Sequence, residues 1–496
     1  MSNAALQSKI DDLISGLPTD LFIAGEWRAA QGNKRFSVEN PATASELTTV
    51  ADASIEDGDA ALSAAVTAQE TWGDTAPRDR GELLRAAFEK VLERTEDFAL
   101  LMTLEMGKSL SEARGEVTYG AEFLRWFSEE AVRIHGRYSV APAGTSRLLT
   151  LQRPVGPSLL ITPWNFPLAM ATRKIAPAIA AGCTTVVKPA SLTPLTTLLF
   201  AQILQEVGVP KGVVNVITTS KSGDVTDPLL RDERLRKLSF TGSTEVGRHL
   251  LKSAADRVLR TSMELGGNAP FLVFQDADID AAVEGALIAK LRNIGEACTA
   301  ANRFLVHKSV HAEFTRKLTD RMAEKSTGPG TDEDADLGPL ISESERDKVH
   351  DLVRAAQEAG AKLKTGGGVP NKTGWFYEPT VLADVTANSP IFHQEIFGPV
   401  APIIAFSDEA EGIRLANDTE MGLVAYAYTR DSARTLRLAE KLDVGMVGIN
   451  TGIVSNPAAP FGGVKQSGIG REGGFEGIEE YLETKYVGLP DPNAGN

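Results

Sequence analysis

Cysteine occurs only twice in 496 residues, and its two positions have different surroundings. Cys183 lies in the apolar run PAIAAGCTTVV, where a thiol behaves as a small hydrophobe, whereas Cys298 lies among small and polar residues in RNIGEACTAANRF, where a thiol can serve as a nucleophile. Glu264 precedes Gly266 and Gly267 in MELGGNAPF. Glycines there permit a tight turn and close approach of backbone to a ligand, and a carboxylate held beside them is poised as a general base. Asn165 stands between two prolines in PWNFP, whose stiff backbone would hold the side-chain amide as a donor suited to an oxyanion. KLSFTGSTEVGRHL reads as a strand, a turn at Gly242 and a helix opening at Ser243 or Thr244, whose free N–H groups could face a pyrophosphate. A lone cysteine is most often a core residue and a Glu before glycines a solvated turn, so each feature alone leaves both readings open.

These residues need elements to position them. From residue 158 short apolar runs (SLLIT, TTVV, VVNVI, KLSF) alternate with helix-length segments, the pattern of a parallel α/β sheet of nucleotide-binding type. After the strand ending at Lys188 a helix is predicted, with Thr193 as N-cap, Pro194 in its first turn and Gly208 at its end. A second α/β block spans roughly 264–450, with FLVF and MVGIN as strands and an amphipathic helix near 350–360. Earlier in the chain, Leu84, Phe88, Val91 and Leu92 mark one face of a helix over 80–106 that ends near Gly107. The stretch 137–156 and the segment ETKYVGL alternate like strands without an evident sheet of their own, so they are expected to pair with something such as a neighbouring subunit. GIGREG at 468–473 spells a dinucleotide fingerprint, but too little chain follows for the βαβ unit of about 30 residues that the motif needs. A loop is expected there.

With 51 Lys plus Arg against 66 Asp plus Glu, the net charge of -15 disfavours attraction to nucleic acid or an anionic membrane and points to a small-molecule partner. Asp11 and Asp12 interrupt any apolar run at the start, and no stretch approaches about 18 consecutive apolar residues, so neither targeting nor membrane insertion is expected. Two cysteines without metal-ligand spacing predict a reducing, cytoplasmic setting and no metal.

In order along the chain, TPWNFP, TTVVKPAS, SFTGSTEVG, MELGGNAP, the GEAC segment at Cys298, EIFGPV and PFGGVKQSGIGRE together resemble the aldehyde dehydrogenase superfamily over nearly its whole length. The resemblance implies an α/β fold with a Rossmann-type cofactor domain (1–137 and 157–263), an α/β catalytic domain (264–455) and a β oligomerisation arm (138–156 and 481–496) in a homodimer or homotetramer. It makes Cys298 the catalytic thiol, Glu264 the base, and Asn165 the partner of the Cys298 backbone N–H in an oxyanion hole. Lys174 and Glu472 match a secondary pair proposed to relay protons, with a plain surface ion pair as the alternative. Along the cofactor the resemblance places Lys188 at the adenosine ribose and Gly242 with Ser243 at the pyrophosphate. Glu395 and Phe397 fall at the nicotinamide ribose, and Thr162, Pro163, Trp164, Ala190 and Leu265 line the same cleft.

Many NAD-dependent members carry Glu three positions after that Lys, where it would repel a 2′-phosphate. Here the residue is Ser191, so NADP is expected, with NAD possible. Arg173, Arg292 and Ser455 match the carboxylate-binding residues of succinate-semialdehyde dehydrogenases, and two guanidiniums plus a hydroxyl suit a carboxylate a short spacer from an aldehyde. Glutarate semialdehyde or a broad range of aliphatic aldehydes is the alternative substrate. Some members carry a second cysteine two positions after the nucleophile; Ala300 stands there, so no lid disulfide is expected. Glu264 argues against a coenzyme A-acylating enzyme, and the absence of a His placed to pair with Cys298 argues against an ester hydrolase. A catalytically silent binding protein of the same fold is the reading from a different class.

Overall fold

The short apolar runs from residue 158 onward become buried central strands. In this computed structural model, which describes residues 3–493, they build an eight-stranded sheet in the order Glu26–Arg28, Leu21–Ile23, Val214–Val216, Thr185–Lys188, Ser158–Ile161, Lys237–Thr241, Arg260–Glu264 and Gly468–Ile469. Residues 1 and 2, which begin the segment read for targeting, and 494–496, the end of the predicted arm, lie outside the described residues. The five strands from Val214–Val216 to Arg260–Glu264 are parallel, and antiparallel strands close both edges. Their carboxyl ends therefore lie on one side, where ligands of open α/β sheets bind. Ile161, Lys188, Thr241 and Glu264 all stand there. Alternate side chains of each strand enter opposite cores: Leu160 and Val187 pack with the helices of residues 77–130, and Leu159 and Val186 with Leu230 and Leu250.

A second sheet of seven strands runs Lys362–Thr365, Thr380–Ala383, Val400–Phe406, Ala301–His307, Ala269–Val273, Val424–Tyr428, Met446–Ile449. All but the first are parallel to their neighbours. Leu272 and Leu305 face one core, Phe271 and Phe304 the other. Only the loop Leu265–Asn268 separates the last parallel strand of the first sheet from the strand Ala269–Val273 of the second, so whatever sits on that loop faces both.

Four local expectations change. The helix over 80–106 is two helices, Pro77–Glu93 and Thr95–Met106, broken at Arg94, and Leu92 is exposed because Leu84, Ala87 and Val91 form the buried face. Gly107 does end the second of them, at φ 101°. Thr193 does not cap the helix Leu195–Glu206; its hydroxyl donates to Trp164 O at 3.3 Å. The first helical N–H groups, of Leu195 and Thr196, are satisfied instead by the buried Glu105 carboxylate at 2.8 and 2.9 Å. GIGREG is not wholly loop, since Gly468–Ile469 is the edge strand beside Arg260–Glu264. The two orphan stretches find each other: Leu482–Pro490 pairs along Ser146–Pro154, which pairs with Arg137–Val140, making a three-stranded sheet within one chain. Tyr138, Val140 and Tyr486 of that sheet are exposed.

Candidate active site

Cys298 lies in the turn between the helix Ile279–Leu291 and the strand Ala301–His307, at the end of a segment with unusual backbone. Asn293 and Ile294 have φ of 54° and 62°, and a β-branched residue there is a genuine outlier, held by Asn293 Nδ2 donating to the carbonyls of Asn165 (3.0 Å) and Glu296 (2.9 Å). Cys298 is partly exposed, while Cys183 is fully buried with Sγ 3.3 Å from Tyr481 O, so the two thiols divide as their sequence contexts indicate. Desolvation, opposed by Arg173 and reinforced by Glu395 and Glu264, pushes the Cys298 thiol up to about 12, so it needs a base to become nucleophilic.

Glu264 ends its strand with its side chain buried; Oε2 has no hydrogen-bond partner among the described residues. Burial first, and then the Glu472 charge, hold this carboxyl well above the usual range, against Arg173, Lys174 and Arg471. A carboxylate so raised is a stronger base once ionised, and its ionised fraction grows as pH rises through the raised pKa. Turnover limited by a base at Glu264 is therefore expected to climb with pH over a window above that of an ordinary carboxylate. A Glu264→Gln profile that kept the same rising limb in kcat against pH would contradict it.

Gly266 and Gly267 serve closeness rather than a turn, because neither has positive φ. A Cβ on Gly267 would stand 2.4 Å from Cys298 O, and one on Gly266 2.8 Å from a Glu395 carboxylate oxygen. These glycines let the Glu264 loop lie directly against the backbone at Cys298. The loop is fixed from behind: buried Arg303 donates through Nε and Nη2 to Asn268 O at 3.1 and 2.8 Å, and Ser467 Oγ donates to Gly266 O at 2.7 Å. Asn165 is buried, its Nδ2 donating to Glu296 O at 3.1 Å, which orients the amide and leaves its second N–H without an acceptor among the described residues.

Lys174 and Glu472 are not a surface pair. Both are buried, and Glu472 binds Lys174 and Arg173 together. Burial alone would raise the Glu472 carboxyl, but the two cations outweigh it and hold it below the carboxylate range. Lys174 also donates to Ser239 Oγ at 3.0 Å. Arg173 is thus engaged by an internal acid and lies 4.2 Å from the Phe461 ring centre, although its Nη2 is buried without a hydrogen-bond partner. Arg292 and Ser455 come together as expected, Nη1 donating to Oγ at 3.3 Å. They line a cavity of about 260 Å³ with Glu112, Tyr119, Phe166 and Ile453. The guanidinium stands 5.0 Å from the Phe166 ring centre and 5.6 Å from that of Tyr119. Tyr119 and Phe166 had no signal in the sequence beyond being aromatic. Lys108, Glu112 and Glu116 did: three charges spaced by four run from just before the Ser109 N-cap into the helix Leu110–Glu130, and all are engaged around Asn165 and Asn293.

On the other side of the loop, Trp164 and Phe397 meet edge to face at 5.3 Å, and Phe397 holds φ 57°. Glu395 accepts Gly267 N–H at 3.0 Å, and burial pushes its carboxyl up to about 7. Thr162 hydrogen-bonds through its backbone N–H to Lys188 O at 3.2 Å, and Leu265 to Ser467 O at 2.9 Å, so both expected cleft positions are at strand ends. The Lys188 ammonium is buried with no ion pair among the described residues, and desolvation lowers it to about 8. Ser243 caps the helix Thr244–Ala255, accepting Val246 N–H at 3.3 Å, next to Gly242 at the strand end. Pro163, Ala190 and Ser191 are partly exposed beside these strand ends. Among the described residues, no group of three or more His, Cys, Asp or Glu is arranged to hold a metal, and no helix is long and apolar enough to cross a membrane.

Residues 27–487 match the family model described as the aldehyde dehydrogenase family. The chain belongs to that family. Among its aldehyde dehydrogenase relatives, a succinate-semialdehyde dehydrogenase of Paenarthrobacter nicotinovorans is 63% identical over 90% of this chain and 99% of the relative. A glutarate-semialdehyde dehydrogenase of Pseudomonas aeruginosa is 47% identical over 94% and 97%. A solved structure described as an E. coli NADP dependent enzyme superposes with a TM-score of 0.95 at 46% identity, over 97% of this chain and 99% of that one.

Proposed function

We propose that this chain oxidises succinate semialdehyde to succinate with NADP, accepting NAD as well. The observation that carries the substrate is the Arg292–Ser455 pair set beside Tyr119 and Phe166 in a partly open cavity, with the Arg292 charge felt at Cys298. A guanidinium and a hydroxyl there bind a carboxylate and set the aldehyde a short spacer away, and the relatives named for semialdehydes carry substrates of this kind. Buried Arg173, with its Nη2 unpartnered, adds positive field to the same end of the site.

Cys298 Sγ attacks the aldehyde carbon after its proton passes to a base. The Asn165 amide and the Cys298 backbone N–H receive the oxyanion. The cofactor's place fits the chain's own groups: the unpaired buried Lys188 ammonium suits ribose hydroxyls, and the capped helix start at Ser243 suits a pyrophosphate. Bound there, the nicotinamide dinucleotide supplies the hydride acceptor. Glu264 then takes a proton from the water that attacks the Cys298 thioester, and the carboxylic acid product leaves.

The measurement that tests this reading is kcat/KM for succinate semialdehyde and uncharged butyraldehyde, each with NADP and NAD. Equal or better turnover of butyraldehyde would remove the substrate assignment. Glutarate semialdehyde, one methylene longer, is expected within about 10- to 200-fold of succinate semialdehyde, the span that one methylene can discriminate.

Ser191 leaves no carboxylate three positions after Lys188. Ser191→Glu is expected to pair with the Lys188 ammonium and repel a 2′-phosphate, moving the ratio of kcat/KM for NADP over NAD toward NAD by roughly 10- to 100-fold, the worth of one charge-assisted contact. An unchanged ratio would show that the 2′-phosphate lies elsewhere. The scarcity of cysteine supports a cytoplasmic site, and the exposed side chains of the three-stranded sheet, Tyr138 and Val140 on one face and Tyr486 on the other, support a homodimer or homotetramer joined through it. The division into a cofactor domain (1–137, 157–263), a catalytic domain (264–455) and an arm (138–156, 481–496) is supported by the eight-, seven- and three-stranded sheets, apart from the edge strand Gly468–Ile469 of the first.

A further inference from the structure

Lys108 and Glu116 are buried and form an ion pair, with Glu116 standing against the cavity of Arg292 and Ser455. Lys108 occupies the joint between the helix ending at Met106 and the helix Leu110–Glu130, and Glu116 lies two turns into the latter. A buried ion pair is poor value for stability, since apolar residues of similar volume are often as good or better, so what this pair touches matters more than that it exists. Lys108 Nζ donates to Asn165 O at 2.8 Å and lies 4.3 Å from the Phe166 ring centre. Glu116 Oε1 accepts the N–H groups of Leu168 and Ala169 at 3.0 and 3.2 Å, the first turn of the helix Pro167–Ala181 that carries Arg173 and Lys174. Asn293 Nδ2 donates to the same Asn165 carbonyl, joining it to the segment that leads to Cys298. The backbone of the oxyanion amide is thus clamped by one buried cation and the following helix start by its counter-ion.

We propose that Lys108 and Glu116 are positioning residues that set the Asn165 amide against the oxyanion formed at Cys298. The inference rests on the oxyanion role of Asn165 given under Proposed function. Neither side chain reaches the reacting atoms; they act through Asn165 and the Pro167–Ala181 helix. A displacement of about 1 Å in such a donor can lower turnover roughly 100-fold without altering how substrate is held.

The test compares the full chain with Lys108→Met/Glu116→Gln, Lys108→Arg and Asn165→Ala. The double variant removes both charges while Gln still accepts the Leu168 and Ala169 N–H groups, so folding is expected to survive, checked by the thermal unfolding midpoint. Expected is a fall in kcat of roughly 10- to 100-fold with KM for succinate semialdehyde within about threefold. Cys298 alkylation by iodoacetamide, which builds no oxyanion, keeps its rate. A folded double variant with full kcat, or one whose loss lies in KM or in alkylation, overturns the proposal. Should the double variant not fold, Lys108→Arg decides: it keeps the charge but moves the donor off Asn165 O, so a lowered kcat supports positioning and an unchanged one refutes it. A slow Asn165→Ala beside a normal double variant sinks this inference alone, whereas a fully active Asn165→Ala removes the oxyanion reading and this inference with it.

Discussion

Cys298→Ala is expected to abolish aldehyde oxidation, by about 10⁴-fold or more in kcat, while Glu264→Gln is expected to release one equivalent of reduced cofactor per active subunit and then almost stop. The two outcomes differ because the residues serve different halves of the cycle. Without the thiol no covalent adduct forms and the oxidation has no tetrahedral alkoxide to start from. Without the Glu264 carboxylate the thioester still forms, but the attacking water has no base, and the loss of a general base is worth about 10²- to 10⁴-fold. The buried, unpartnered Oε2 of Glu264 and the placement of Gly267 against Cys298 O put the base and nucleophile on adjoining backbone, as that division requires. Rapid mixing with excess cofactor, followed by intact-mass measurement of the trapped subunit, checks both. A Glu264→Gln enzyme with normal steady-state turnover would give the base to another group; one with no burst would assign Glu264 to thiol activation instead.

Local chemistry was legible in the sequence wherever it depends on neighbours in the chain. Cys298 stood out from Cys183 by its small polar flanks, and the strand ends at Lys188 and Thr241 followed from apolar runs bounded by turn residues, whereas the strand Arg260–Glu264 (RTSME) carries no apolar run to mark it. What depended on distant partners was not legible. The three-stranded sheet joins residues 146–154 to 482–490, and nothing local to either strand names its partner. The helix Leu195–Glu206 offered its own cap in Thr193, yet Glu105, 90 positions away from Leu195, took the role. The apolar period of residues 80–106 runs on through Arg94, so the break there left no mark in the pattern. Lys174 and Glu472 were matched to a proton-relaying pair by resemblance alone, with a surface ion pair as the alternative, because burial and pairing across 298 positions are tertiary facts. The seven motifs resembling the family supplied candidates across this gap for Cys298, Glu264 and Asn165, but not for Lys108 and Glu116, whose spacing of eight was visible and whose meaning was not.

The Arg292 guanidinium offers the sharper test of substrate choice. Arg292→Ala is expected to lower kcat/KM for succinate semialdehyde by roughly 10- to 150-fold, the value of about 1.5–3 kcal/mol for hydrogen bonding to a charged group, and to leave butyraldehyde within a few-fold. Ser455→Ala, which removes one neutral donor 3.3 Å from that guanidinium, is expected to cost less, in the same direction. The contrast with Arg173 is physical. Arg173 is buried and tied to Glu472, so Arg173→Ala leaves a buried carboxylate with one cation fewer and would disturb stability as well as binding. Arg292 makes no ion pair among the described residues: it holds Ser455 and two aromatic faces, and the buried Glu112 carboxyl of the same cavity feels its charge from beyond contact, so its loss disturbs a buried acid less than that of Arg173 would, and a change in the ratio of semialdehyde to butyraldehyde turnover reports on carboxylate recognition. If Arg292→Ala slowed both aldehydes equally, the cavity beside Tyr119 and Phe166 would be a general aldehyde pocket, and the carboxylate would have to be sought at the unpartnered Nη2 of Arg173.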